Sequence, residues 1–168
     1  HPDHFLGNQA YSDLPIYALP ATTQGVQQEG EMFSSNMYRL IGDWMRDTSV
    51  VAPNQEAKLG RETLGGHELE LFAFKGHTHG DLAVFDHTTG VLFAGDLVFN
   101  QRAATTPHAD IIDWLASLQQ LLKIPFKVLV SGHGQVSQDD QAIGQTRAYL
   151  VWLQTILQQA AANGLDMN

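Results

Sequence analysis

The sequence predicts a mixed α/β (α+β) fold in which sheets are covered by helices. Two observations carry this expectation. Hydrophobic periodicity runs helix, strands, helix, strand, helix along the chain, an order that layers helices on sheets. The 168 residues are 43% hydrophobic and 16% charged, enough apolar material for one sizeable core and too little charge for disorder. With no internal repeat, linker or compositional break, residues 1–168 read as a single domain.

The elements follow in order. Leu14 to Leu19 reads as a brief strand bounded by prolines. From Thr22 to Arg46 the pattern is helical. Phe33, Met37, Leu40, Ile41 and Trp44 recur at three- and four-residue intervals, and Pro53-Asn54 is the expected stop. Met32, Met37 and Met45 beside this stripe read as core packing. Glu68 to Phe74 alternates and then turns wholly apolar, as in a strand passing from half-exposed to buried. Asp81–Asp86 is a second strand, and His87-Thr88-Thr89-Gly90 turns it back into Val91–Ala94 as a hairpin. Ile111, Leu115, Leu118 and Leu122 mark a helix stopped by Pro125. Phe126–Val130 has strand length. Ile143, Leu150, Leu153, Leu157 and Ala160 stripe a closing helix that Gly164 suits as a terminus. The glutamine pairs at 27–28, 119–120 and 158–159 fall on solvated helix faces.

Composition excludes several partners. Nine basic against eighteen acidic residues give a net charge of −9, with no basic stripe to neutralise phosphate, so nucleic acid and anionic membrane are not expected partners. No apolar run reaches the length of a membrane span. Zero cysteines exclude disulfides, thiolate metal sites and a cysteine nucleophile, and fit an oxidising compartment.

The chemistry lies in four segments. His1-Pro2-Asp3-His4 gathers two imidazoles and a carboxylate within four residues, a donor set that suits zinc, iron or manganese if the backbone turns sharply. Gly76-His77-Thr78-His79-Gly80-Asp81 follows the strand ending at Phe74. Gly95-Asp96 follows the strand ending at Ala94, and Gly132-His133-Gly134 follows that ending at Val130. Three strands thus end in a possible ligand beside glycine, which lets rigid strands aim side chains into one cleft while the backbones approach closely. His79, two residues from His77, is a weaker cleft candidate. Asn100 and Arg102 follow the Asp96 strand closely enough to bind substrate, Arg102 through an anionic group. Tyr11 is weaker still. His67, His87 and His108 sit in turn-like contexts and are expected to face solvent.

Taken in order, His1-Pro2-Asp3-His4, Gly76-His77-Thr78, Phe93-Ala94-Gly95-Asp96 and Ser131-Gly132-His133-Gly134 resemble the successive motifs of the metallo-β-lactamase-fold hydrolases. The resemblance implies an αββα sandwich. The family's first motif is His-x-His-x-Asp-His, and this chain starts at its second histidine. That implies the C-terminal two thirds of a larger protein, with the first strands and the first motif histidine lying ahead. It further implies two zinc ions per complete site, with iron or manganese as substitutes. His1 and His77 would hold the first metal, Asp3, His4 and His133 the second, and Asp96 would bridge both. Two such cations bring the pKa of a bridging water toward neutrality, and Asp3 would orient the nucleophile and carry its proton as the catalytic residue.

Asp96, where the commonest zinc β-lactamases carry cysteine, favours the glyoxalase II-like branch. Arg147 is the only cation after Lys127, which argues against a glutathione thioester. Residues 95–99, 114–118 and 131–134 are most similar to the quinoprotein relay system zinc metallohydrolases, a group of bacterial exported proteins, so a periplasmic location is favoured. The expected activity is dinuclear zinc hydrolysis of a small ester, thioester or lactone. Two alternatives are an iron-dependent redox enzyme of sulfur dioxygenase or diiron type, and an inactive fragment. A half-built sandwich would expose an apolar sheet face and an unpaired edge, and a chain truly starting at His1 is expected to form homo-oligomers.

Overall fold

Strand pairing between residues 60 and 133 organises the main sheet of the chain. The computed structural model describes residues 1–164. The chain divides into two compact units, His1–Lys58 and Leu59–Asn168.

The first unit is mainly helical. It opens on a single turn, α1 (Pro2–Phe5), followed by a 3-10 segment, Leu6–Tyr11. Proline at the first helical position and Asp3 in the first turn both suit a helix start, where the free N–H groups leave positive charge. The predicted strand 14–19 shrinks to β1 (Tyr17–Ala18), paired in parallel with β2 (Gln55–Glu56). Pro15 and Pro20 leave too few free N–H groups for a longer ladder. Between them runs α2 (Pro20–Ile41), which closes at Gly42 with φ +57° rather than at Pro53-Asn54. A 3-10 turn, Gly42–Met45, follows.

The buried line of α2 is Val26 and Gly30, with Phe33 and Met37 half-buried; Leu40, Ile41 and Trp44 are exposed. The predicted stripe therefore held only over its first two members, Phe33 and Met37. Met32 is exposed and Met37 and Met45 are half-buried, so the methionines are not core residues. Gly30 is where α2 approaches Val50 and Phe5, too closely to admit a Cβ without displacing Val50.

The second unit contains a five-stranded sheet in the order β3-β4-β5-β6-β7. Its strands are β3 (Gly60–Leu64), β4 (His67–Phe74), β5 (Asp81–Asp86), β6 (Val91–Phe99) and β7 (Val128–His133). β3, absent from the sequence reading, joins β4 through Gly65-Gly66, both at positive φ, as a two-residue hairpin requires. β5 and β6 form the expected hairpin, and Asp86 closes the turn by accepting hydrogen bonds from the Thr88 amide and Thr89 hydroxyl. β6 and β7 are parallel and need a crossover, which α3 (Ile111–Leu121) supplies. Asp110 caps α3 by accepting from the amides of Ile112 and Asp113.

Phe72, Ala83, Phe85, Leu92 and Leu129 share one face of the sheet through the strand register. That face packs under α3, through Trp114, Leu118 and Leu121, and under α4 (Gln141–Ala162), through Ala142, Ile143 and Leu150. Burying each large side chain of this set contributes about 1.5–3 kcal/mol. The buried side of α3 is thus Trp114-Leu118-Leu121, while Leu122 is exposed; on α4, Leu157 is exposed and Ala160 only partly covered. The opposite face of the sheet is also apolar, with Leu71, Val84, Phe93 and Val130 in one register row and Phe93 exposed.

Candidate metal centre

Three predicted ligands converge within the second unit: His77, Asp96 and His133. His77 lies in the loop between β4 and β5. Asp96 is inside β6 rather than after it, and His133 is the last residue of β7. The register between β6 and β7 slips on either side of Gly95, and this irregularity turns Asp96 towards the neighbouring strand end. One oxygen of Asp96 faces Nδ1 of His77 at 3.7 Å and the other faces Nε2 of His133 at 3.5 Å.

Both separations exceed the 2.7–3.2 Å of a hydrogen bond. They suit donors sharing a cation, since two ligands each about 2.0–2.2 Å from a tetrahedral zinc stand roughly 3.3–3.5 Å apart. The residues present fit zinc on that count, and an imidazole–carboxylate set is one zinc accepts.

Packing fixes each donor. His77 is 2% exposed, with its ring centroid 5.1 Å from Trp114 and 5.7 Å from Phe99. Its Nε2 lies 3.3 Å from the Thr105 hydroxyl. With the ring proton on Nε2, that hydroxyl accepts and the Nδ1 lone pair is left towards Asp96. The His133 ring stacks on Phe99 at 5.0 Å, and the Asn100 amide donates to the His133 carbonyl at 2.8 Å. Thr146 of α4 brackets Phe99, accepting from its amide and donating to its carbonyl, and so ties the helix to this end of β6. Three glycines are sterically required, Gly134 among them because a Cβ there would overlap the Asn100 carbonyl. A Cβ on Gly132 would overlap Asp96 Oδ1, and one on Gly76 would overlap Trp114.

The loop carrying His77 is held by Asp81, whose carboxylate accepts from the amide and hydroxyl of Thr78. Burial pushes the Asp81 carboxyl above its ordinary pKa, against the lowering effect of the Thr78 and His77 hydrogen bonds; Asp96 adds a smaller upward push. Asp81, Thr105, Trp114 and Phe99 are supporting residues that the sequence reading did not single out. Asp81 carried a signal, its place in Gly-His-Thr-His-Gly-Asp; Thr105 carried none.

His1, Asp3 and His4 belong to the first unit. Asp3 and His4 neighbour each other on α1, with 3.4 Å between Oδ2 and Nε2. His1 precedes the helix, its carbonyl accepting from the His4 and Phe5 amides and its ring set edge-on to Phe33 at 6.3 Å. The sharp turn expected of the tetrapeptide is therefore one turn of helix.

The weaker candidates take structural or exposed positions. His79, Arg102 and Tyr11 are exposed, and Arg102 donates to the Gln101 carbonyl. The Asn100 side chain donates to the Gln135 carbonyl and so ties the β6 and β7 ends together. His87 is not solvent-facing as expected: its Nε2 is 2.7 Å from Glu70, in a pair only a quarter exposed. His67 is bonded to Asp86 at 2.8 Å. The Thr89 hydroxyl, followed by His67, lowers the Asp86 carboxyl to about 2, although burial opposes them.

The sequence profile of the metallo-beta-lactamase superfamily matches residues 1–133. The chain belongs to that superfamily. Among relatives, it is 22% identical over 149 residues to an acyl-coenzyme A thioesterase, MBLAC2, of Gallus gallus, a match covering 77% of this chain and 50% of that protein. Its fold is similar to that of a metallo-beta-lactamase from Pontibacter korlensis, at TM-score 0.70 and 23% identity over 89% of this chain and 65% of that one. A metallo-beta-lactamase family protein from Thermus thermophilus superposes at TM-score 0.68 with 21% identity, over 89% of this chain and 57% of that one. The chain thus spans about half the length of the curated relative it matches. Superfamily membership implies metal ions, typically zinc, in keeping with the donor set of His77, Asp96 and His133. Among the described residues, no helix is long and apolar enough to cross a membrane.

Proposed function

We propose that this metallo-beta-lactamase superfamily chain is a metal-dependent hydrolase acting on a small ester, thioester or lactone, in the glyoxalase II-like branch. The observation that carries the reading is the Asp96 carboxylate, with one oxygen turned to His77 and the other to His133. A carboxylate aimed both ways suits two cations. His1 with His77, and Asp3 and His4 with His133, then supply the remaining donors of a dinuclear site; this assignment rests on the order of the motifs along the chain.

Zinc bound there would supply Lewis acidity and bring the pKa of a coordinated water to about 7. The chain's own residues do the rest. Thr105 fixes the His77 tautomer, and Phe99 and Trp114 hold the rings of His77 and His133 against rotation. Asp3 accepts the proton of the attacking water and passes it to the leaving group, alcohol or thiol.

A thioester is the substrate class to test first, because the similar Gallus gallus protein is an acyl-coenzyme A thioesterase. The test is release of free thiol from short acyl thioesters by zinc-loaded protein, with aryl ester and lactone arms beside it. The expected outcome is turnover that chelator abolishes and zinc restores, and that Asp3→Asn lowers by about 10²–10⁴-fold. No metal-dependent turnover in any arm, or turnover needing iron and oxygen, would overturn the reading.

A further inference from the structure

Thr146 is a polar side chain on the buried face of α4, 2% exposed and about one turn from both Ile143 and Leu150. A hydroxyl there needs partners, because burying it unbonded costs free energy. Its own helix offers one, the carbonyl four residues back, and Thr146 Oγ1 lies 2.9 Å from that of Ala142. That bond alone would satisfy its proton. The oxygen does more, for it accepts from the Phe99 amide at 3.0 Å and shares its proton with the Phe99 carbonyl at 3.1 Å. β5 pairs with β6 only between Val91 and Phe93, and the Asn100 amide is the one turned to β7. The Phe99 amide therefore points to the side where β5 no longer pairs, and the threonine hydroxyl takes the place of a ladder partner.

Phe99 in turn touches both imidazoles of the centre. Its ring centroid lies 5.0 Å from that of His133, nearly parallel at 14°, and 5.7 Å from that of His77, at 61°. Trp114 packs on the same ring at 6.2 Å, while Thr146 holds the backbone that carries it. We infer that Thr146 is a positioning residue for the metal centre. By clasping the Phe99 backbone it fixes the ring that sets how His77 and His133 face Asp96. The inference rests on the reading of His77, Asp96 and His133 as metal ligands.

The test compares three variants with the parent chain at unchanged far-UV circular dichroism. Thr146→Val keeps the branched shape and removes the hydroxyl, Thr146→Ser keeps the hydroxyl, and Ile143→Val trims the core one turn away on the same helix. Zinc affinity is read by chelator competition, and ligand geometry by the visible absorption bands of the cobalt-loaded chain. Thr146→Val is expected to weaken zinc binding about tenfold and to shift the cobalt bands, with Thr146→Ser and Ile143→Val matching the parent in both. A loss of stability by itself gives no such pattern, since Ile143→Val also loosens the core. Should Thr146→Val lose its fold, Phe99→Leu, which keeps the backbone clasp and removes the ring, is expected to shift the bands instead. In a parent that binds both metals, an unchanged folded Thr146→Val, an unchanged Phe99→Leu in its place, or an equal shift in Ile143→Val would overturn the proposal alone. A parent that binds neither metal would overturn it together with the metal reading.

Discussion

The two units hold their candidate ligands in opposite ways. In the second, Asp96 and His133 stand on strands and His77 on the β4–β5 loop of a sheet packed under two helices, over a core of fully buried residues that includes Trp114, Leu92, Leu118, Leu129 and Ile143. In the first, Asp3 and His4 ride on a four-residue helix and are nearly half exposed. The buried residues of that unit are small or few, with Ala18, Leu19, Val26 and Ala57 as its hydrophobic set. Stability follows buried apolar area, so the second unit presents preorganised donors, whereas the first relies on local turns that open at low cost.

The largest effect that would break this contrast is at Trp114. It is wholly buried, and its Nε1 donates to the Leu97 carbonyl at 2.9 Å. Trp114→Ala should cost about 3–5 kcal/mol in urea unfolding. The half-buried Phe33 of α2 is the counterpart, and Phe33→Ala should cost about 1–1.5 kcal/mol. Equal losses would show that the two units share one stability.

Next comes Thr105→Val, which keeps side-chain volume and removes the hydroxyl beside His77 Nε2. Zinc affinity measured by competition with a chromogenic chelator should fall about tenfold, with no change in fold.

The smallest effect is pH dependence. Asp86 has its pKa lowered from 3.8 to about 2, so its ionised form stabilises the fold above about pH 4, and this stabilisation is lost as pH falls towards 2. Asp81, shifted up by burial, acts in the opposite sense, since its protonation relieves a penalty as pH falls. Acid titration followed by circular dichroism should show a shallower loss of stability between pH 4 and 2 in Asp86→Asn than in the parent chain. A steeper loss would contradict the assignment.

What was legible in the sequence follows the same division. β4, β5, the β5–β6 hairpin and α3 were readable because strand alternation and a buried stripe were both satisfied by one core. The α2 stripe misled at its end, because periodicity shows which residues share a face and not whether anything covers that face. Leu40 and Trp44 have the spacing of core residues and lie in solvent. β3 was missed although Gly65-Gly66 is a hairpin signal, since Gly60–Leu64 has one apolar side chain and the alternation test needs more. At the site, glycine beside histidine or aspartate marked the donors. The placement of Asp96 inside β6 was not readable, because the irregularity at Gly95 exists only between two strands.

Zinc stoichiometry by elemental analysis after equilibrium dialysis, on the parent chain and on Asp96→Ala, tests the central claim most directly. The account expects zinc retained by the parent at micromolar free metal, and binding weakened more than about 100-fold by Asp96→Ala, which leaves His77 and His133 without their shared carboxylate. A parent chain that retains no zinc, or zinc held as tightly by Asp96→Ala as by the parent, would contradict it.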